Sequence, residues 1–173
     1  MQSIYPWQQQ EWQHLISRKD SGQLSHALLI KAMEGLGKYH FAQRFAENLL
    51  CQKNEADACA ECRSCQLLES NNHPDLTIIR PEEKSKAIKI DQIRELVADL
   101  ANTSQQGGYK IVIIDHADLL NIAASNALLK TLEEPASNVV VMLITSHPAA
   151  LSATIRSRCQ AIAIKTPSYS QAQ

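Results

Sequence analysis

Residues 28–39 read Leu28-Leu29-Ile30-Lys31-Ala32-Met33-Glu34-Gly35-Leu36-Gly37-Lys38-Tyr39, and a helical pattern follows them. The run 28–30 is short, apolar and branched, as a buried strand is. Over 38–50, Phe41, Ala42, Phe45, Ala46, Leu49 and Leu50 recur at helical spacing and share one face. A strand, a glycine-bearing turn and a helix are the setting of a phosphate loop, G-x-x-x-x-G-K-[ST], whose backbone amides wrap an anion at a helix N-terminus. Gly37 and Lys38 match it, and Gly35 adds a second glycine. Ala32 stands in place of the first glycine, and Tyr39 in place of the hydroxyl that would hold magnesium. The alternative for the same residues is a glycine-rich turn with a solvated lysine.

The same alternation continues outward. Leu76–Ile79 and Ala161–Ile164 read as short strands, and Ile111–Ile114 and Val139–Ile144 as strands buried on both faces. Helices are expected over 91–101, capped by Asp91, over 121–134, ended by Pro135, and over about 149–157. Gly107-Gly108 breaks the chain between the 91–101 helix and the Ile111 strand. Strands alternating with helices predict a layered α/β fold around a parallel sheet, with ligands at the carboxyl ends of the strands.

The Ile111 strand ends in Asp115-His116. In phosphate-loop ATPases such a strand ends in an aspartate that holds Mg²⁺, followed by a glutamate that polarises water. Asp115 is there; His116 replaces the glutamate. Phosphoryl transfer depends on positioning and charge stabilisation. Without the metal hydroxyl and the carboxylate, ATP and Mg²⁺ binding at Gly35, Gly37, Lys38 and Asp115 is expected to be weak or absent, and hydrolysis near background.

Four of the five cysteines are clustered as C-x7-C-x2-C-x2-C: Cys51, Cys59, Cys62 and Cys65. Four thiolates with short C-x2-C pairs suit a closed, structural zinc site. An iron–sulfur cluster is the alternative for the same donors. Cys159 stands apart.

With 173 residues the chain suits one domain. Its 45% hydrophobic and 20% charged content excludes a disordered or collagenous chain. Lys and Arg total 17 against 18 Asp and Glu, a net charge of −1, so a DNA-gripping basic face is not expected. The N-terminus lacks a basic patch followed by an apolar core, and no long apolar run occurs, so a cytoplasmic chain with no membrane contact is expected.

Several motifs occur in one order: Pro6-Trp7, His26-Ala27-Leu28-Leu29, the phosphate loop, the four cysteines, His73-Pro74-Asp75-Leu76 and Ile90-Asp91-Gln92-Ile93-Arg94. After them come Gly108-Tyr109-Lys110-Ile111-Val112, Asn126-Ala127-Leu128-Leu129-Lys130-Thr131-Leu132-Glu133-Glu134-Pro135 and Ser157-Arg158-Cys159. Over about residues 5–165 the chain resembles bacterial clamp-loader subunits of the AAA+ class. The resemblance implies a RecA-like core of five parallel strands flanked by helices, carrying the zinc module (51–65) as an insertion. It implies an AAA+ domain over 1–166, with 167–173 starting a linker to lid and collar domains.

The resemblance further implies a stator without ATPase activity of its own, within the DNA-directed DNA polymerase assembly of replication. Its partners would be gamma/tau-type and delta-type subunits in a five-membered ring, with the sliding clamp and primed DNA met through that assembly. Arg158 would be an arginine finger reaching a neighbour's ATP site, with Arg156 a second candidate. Thr145 or Ser146 matches the position that senses the γ-phosphate. Glu133, Glu134 and Lys130 read as helix-terminal surface charges. The rival readings are an active motor subunit, which would need Thr or Ser at 39 and Glu at 116, and a zinc-dependent nucleic-acid-binding module.

Overall fold

A computed structural model describes residues 3–53, 56–83, 85–106 and 108–167. Gly107, and residues 168–173 of the segment read as a linker, lie outside the described residues. Five strands form one parallel sheet: β1 (Ala27–Lys31), β2 (Leu76–Ile79), β3 (Lys110–Ile114), β4 (Val139–Thr145) and β5 (Gln160–Ala163), in the spatial order β2-β3-β4-β1-β5.

The continuous apolar runs are explained by two cores, one on each face. Successive side chains of a strand point to opposite faces. Leu28, Ile30, Ile111, Ile113, Val140, Met142 and Ile144 therefore enter one core. Ala27, Leu29, Val112, Ile114, Val139, Val141 and Leu143 enter the other. Helices α1 (Gln9–Asp20), α2 (Lys38–Leu50) and α3 (Arg63–Glu69) supply the first core. Helices α4 (Ile90–Leu100), α5 (Ile122–Glu133) and α6 (Ala153–Arg158) supply the second. The β1-to-β2 crossover thus runs over one face and the later crossovers over the other. The carboxyl ends of β1, β3 and β4 are left as a crevice where ligands of open α/β sheets sit.

Two helices are absent from the sequence reading. In α1, Trp12 and Leu15 are buried, and the Trp12 indole meets Phe41 and Phe45 edge-on, each at 5.9 Å between centroids. Helix α3 starts inside the cysteine cluster, with Cys62 at its N-cap and Cys65 in its first turn. Asp91 is not a cap. Helix α4 begins at Ile90, Asp91 lies within its first turn paired with Arg94 at 3.6 Å, and the Gln92 side chain instead accepts the Lys89 N–H at 3.0 Å. Helix α5 is capped by Asn121, which accepts from Ala124 N–H at 2.8 Å. The stretch read as a helix over 149–157 divides into a 3₁₀ turn, Pro148–Ala150, and α6, capped by Ser152.

Candidate functional site: a phosphate-type cleft, an outward arginine and a thiol cluster

The turn after β1 crosses the N-terminus of α2 as a phosphate loop does. Gly35 and Gly37 have φ of +79° and +74°, a backbone region that favours glycine. Gly37 has a steric reason as well, since a Cβ there would stand 2.5 Å from the Tyr5 ring. Tyr5 stacks on Trp7 at 4.8 Å with the rings 4° apart. The Trp7 indole donates to Leu36 O at 3.2 Å, and the buried Gln8 amide donates to Leu36 O at 2.9 Å and Gly37 O at 3.1 Å. The N-terminal segment is therefore a strap bonded across the loop.

A cleft of about 390 Å³ lies beside it, lined among others by Lys38, Tyr39, His40, Asp115, His116 and Thr145. Gly35, Gly37, Lys38 and Asp115 all line this cleft. Three side chains that line it, those of Lys38, Asp115 and Thr145, are engaged by groups of the chain itself. Lys38 Nζ donates to Met33 O at 2.8 Å. Burial lowers its pKa from the ordinary lysine value, against the opposing charges of Glu34, Asp115 and Asp118. Asp115 Oδ2 lies 3.5 Å from Arg80 Nε, and the Arg80 guanidinium sits 4.4 Å over the Tyr39 ring. The Thr145 hydroxyl donates to Asp118 Oδ1 at 2.6 Å and accepts from His147 N–H at 2.9 Å.

His116 follows Asp115 in a left-handed conformation, φ 56°, with its ring exposed. Both ring nitrogens of His40 are buried without a hydrogen bond among the described residues, and burial, then Arg44, lower its pKa. Arg80 and Asp118 went unread in the sequence. The only signal for Arg80 lies in strand pairing: Ile79 pairs with Ile114, so the next residues, Arg80 and Asp115, meet at the sheet's carboxyl edge.

Arg158 is the last residue of α6, whose Ile155 is fully buried. Its guanidinium donates to Thr154 O at 2.9 Å and pairs with Glu133 Oε1 at 2.6 Å, with about a third of the side chain exposed. Arg156 is exposed.

Cys51 follows the end of α2, and its Sγ and those of Cys59, Cys62 and Cys65 lie within 4.8 Å of one another. Cys59 and Cys65 Sγ are 3.9 Å apart. Thiolates on a tetrahedral ion with bonds of about 2.3 Å stand roughly 3.8 Å apart, so the donor set fits. Backbone amides are aimed at sulfur as well: Cys59 N–H at Cys51 Sγ, 3.3 Å, and Cys62 N–H at Cys59 Sγ, 3.4 Å. Burial alone would raise the Cys62 thiol, but the backbone at Gln52 and Cys65 and the neighbouring thiols bring it to about 6. Burial raises Cys65. The cluster can hold a metal ion.

The cluster is tied to the sheet. Ser64 Oγ donates to Leu50 O at 2.6 Å and meets His73 Nε2 at 2.8 Å. His73 Nδ1 accepts Asp75 N–H at 3.1 Å, which leaves the ring proton on Nε2. Asp75 in turn accepts Gln105 and Gln106 N–H at 2.7 and 2.9 Å.

A family model described as DNA polymerase III, delta subunit, matches residues 7–168. The DNA polymerase III subunit delta' of Pseudomonas aeruginosa is 46% identical over 160 residues, which cover 92% of this chain and 48% of that protein. That of Escherichia coli K12 is 39% identical over 157 residues, 90% of this chain and 47% of that one. That of Bacillus subtilis is 40% identical over 143 residues, 83% and 43%. The chain thus spans about half the length of the curated relatives it matches. Among solved structures, a DNA polymerase III gamma subunit-related protein of Thermotoga maritima matches with a TM-score of 0.60 at 23% identity, over 91% of this chain and 46% of that one. The RuvB Holliday junction branch migration motor of the same organism matches at 0.54 and 16%, over 92% and 44%. These two likenesses show the fold, a RecA-like AAA+ core.

Proposed function

The chain belongs to the DNA polymerase III delta-subunit family, the subunit called delta' in its curated relatives, and from that premise we propose that it is a non-hydrolysing stator of the clamp loader. It supplies Arg158 to the ATP site of a neighbouring subunit and helps to load the sliding clamp on primed DNA. The partners are gamma/tau-type and delta-type subunits in a five-membered ring. Residues 1–166 act as its AAA+ domain, and lid and collar domains belong to the longer full-length subunit.

The observation that carries the reading is the pairing of Asp115 with Arg80 over Tyr39. A guanidinium stands against the carboxylate that a magnesium ion would need, and the neighbouring side chain offers a ring instead of a hydroxyl. Exposed His116 carries no fixed negative charge beside it. The active-motor reading lacks both groups. Arg158 is differently disposed. A guanidinium has five N–H donors. Among the described residues, Thr154 O and Glu133 Oε1 take two, and the other three are left for a phosphate from another chain. Planar and always charged, it suits bidentate contact with phosphate oxygens.

Cys51, Cys59, Cys62 and Cys65 hold one structural zinc ion. All four donors are protein thiolates, so no position is open to water, and the ion's contribution is to fold the 51–65 segment.

The test is ATP turnover by the reconstituted loader with clamp and primed DNA, with Arg158→Ala in the full-length subunit. Turnover falls ~10³-fold or more while the ring still assembles, as for other arginines supplied in trans. Arg156→Ala leaves turnover near wild type. Unchanged turnover in Arg158→Ala would make that arginine structural and end the reading.

A further inference from the structure

Glu133 and Arg158 are terminal residues of two helices that pack on the same core, and their side chains meet at 2.6 Å. Glu133 breaks a local rule. A carboxylate in the last turn of a helix opposes the macrodipole, whose carbonyl end favours cations. Such misfits in an otherwise consistent element mark positions kept for another purpose. Here the misfit is offset by Arg158.

The base under Arg158 is rigid. Ile155 is fully buried, Cys159 packs against the same core, and Ser152 caps α6 by accepting Ile155 N–H at 3.3 Å. A rigid backbone still leaves an arginine many rotamers. Two contacts on the guanidinium restrict them: Thr154 O receives Nη1 at 2.9 Å and Glu133 Oε1 receives Nη2. Among the described residues no partner takes the other three N–H groups, and about a third of the side chain is exposed.

We propose that Glu133 is a positioning residue for Arg158: its carboxylate holds the guanidinium from behind, so that the free N–H groups meet a neighbour's phosphate already ordered. The inference rests on the trans-arginine reading and adds a second residue to it. Glu133 touches no substrate. It acts by removing the entropy that an unrestrained arginine would lose on engaging a phosphate.

The experiment is steady-state ATP turnover by the reconstituted loader with clamp and primed DNA, using Glu133→Ala, Glu133→Gln, Arg158→Ala and Arg158→Ala/Glu133→Ala in the full-length subunit. Glu133→Ala lowers kcat about fivefold, the order expected for loss of one exposed ion pair, with KM for ATP and ring assembly unchanged. Glu133→Gln keeps an oxygen acceptor and recovers most of the loss. The double variant turns over no more slowly than Arg158→Ala, because with the arginine gone there is nothing for Glu133 to position. An unchanged or raised kcat in Glu133→Ala, a double variant slower by the same fivefold, or failure of Glu133→Ala to assemble would each overturn the inference. If Arg158→Ala itself leaves turnover unchanged, the trans-arginine reading fails first and takes this inference with it. A silent Glu133→Ala beside a slow Arg158→Ala leaves that reading standing.

Discussion

Tyr39 and Arg80 account for each other. A tyrosine after the loop lysine removes a metal ligand and puts an aromatic face beside the largely buried Asp115 carboxylate. A buried carboxylate needs a counter-charge. The guanidinium of Arg80 provides it and lies 4.4 Å over the ring. Half of the Arg80 side chain is exposed, so solvent screens the pair, and pair and stacking together are worth about 1 kcal/mol. Arg80→Ala is expected to lower the thermal midpoint by about 2–4 °C for a domain of this size, read by differential scanning fluorimetry. Arg80→Lys recovers less than half, since a point charge stacks poorly on a ring. An unmoved midpoint in Arg80→Ala would show that Asp115 does not depend on it. The departures at Ala32, Tyr39 and His116 were legible because a motif fixes the position of each part. Arg80 was not, because only the pairing of β2 with β3 brings it to Asp115.

At the scale of elements, the strongly periodic segments were legible and the weakly amphipathic ones were not. Helix α2 matches its expected span, and β3 and β4 match to within a residue, because their apolar residues fill the two cores directly. Helix α1 buries only Trp12 and Leu15, too sparse a stripe to stand out. The seven-residue helix α3 hides inside the cysteine spacing, and two of its first residues matter for other reasons, Cys65 as a thiol donor and Ser64 as the link to His73 and Leu50. That link defines what metal removal will do. With four thiolates no longer gathered, the 56–65 turn and α3 are held to the rest of the fold by Leu68, the Ser64 bonds and the Asn48 side-chain amide, which donates to Ala56 O at 2.9 Å. The five strands keep both cores. Chelation is expected to abolish amide-exchange protection in α3 and the segment before it, while β1, β3 and β4 stay protected. Loss of protection throughout the sheet would show instead that the metal site and the main fold are one cooperative unit.

At the scale of the whole molecule, charge decides between the assembly reading and a nucleic-acid-binding module. Affinity for DNA comes largely from lysines and arginines that neutralise phosphates and release counterions. Here 17 basic residues face 18 acidic ones, and many of the basic groups already have acidic partners: Arg44 with Glu47, Lys53 with Glu61, Arg80 with Asp115, Lys89 with Glu82, Lys110 with Asp99 and Arg158 with Glu133. The cysteine cluster presents no exception, since Lys53 and Glu61 beside it cancel. The 173-residue chain is therefore expected to bind primed DNA no more tightly than the non-specific range of about 10⁻⁴–10⁻⁶ M at physiological salt, with a shallow dependence on salt concentration. Fluorescence anisotropy of a labelled primed template, titrated at several salt concentrations, measures both quantities at once. Tight binding with a steep salt slope would mean that the charge balance conceals a local basic track. The cysteine module would then deserve the first substitutions, and DNA contact would belong to this chain itself.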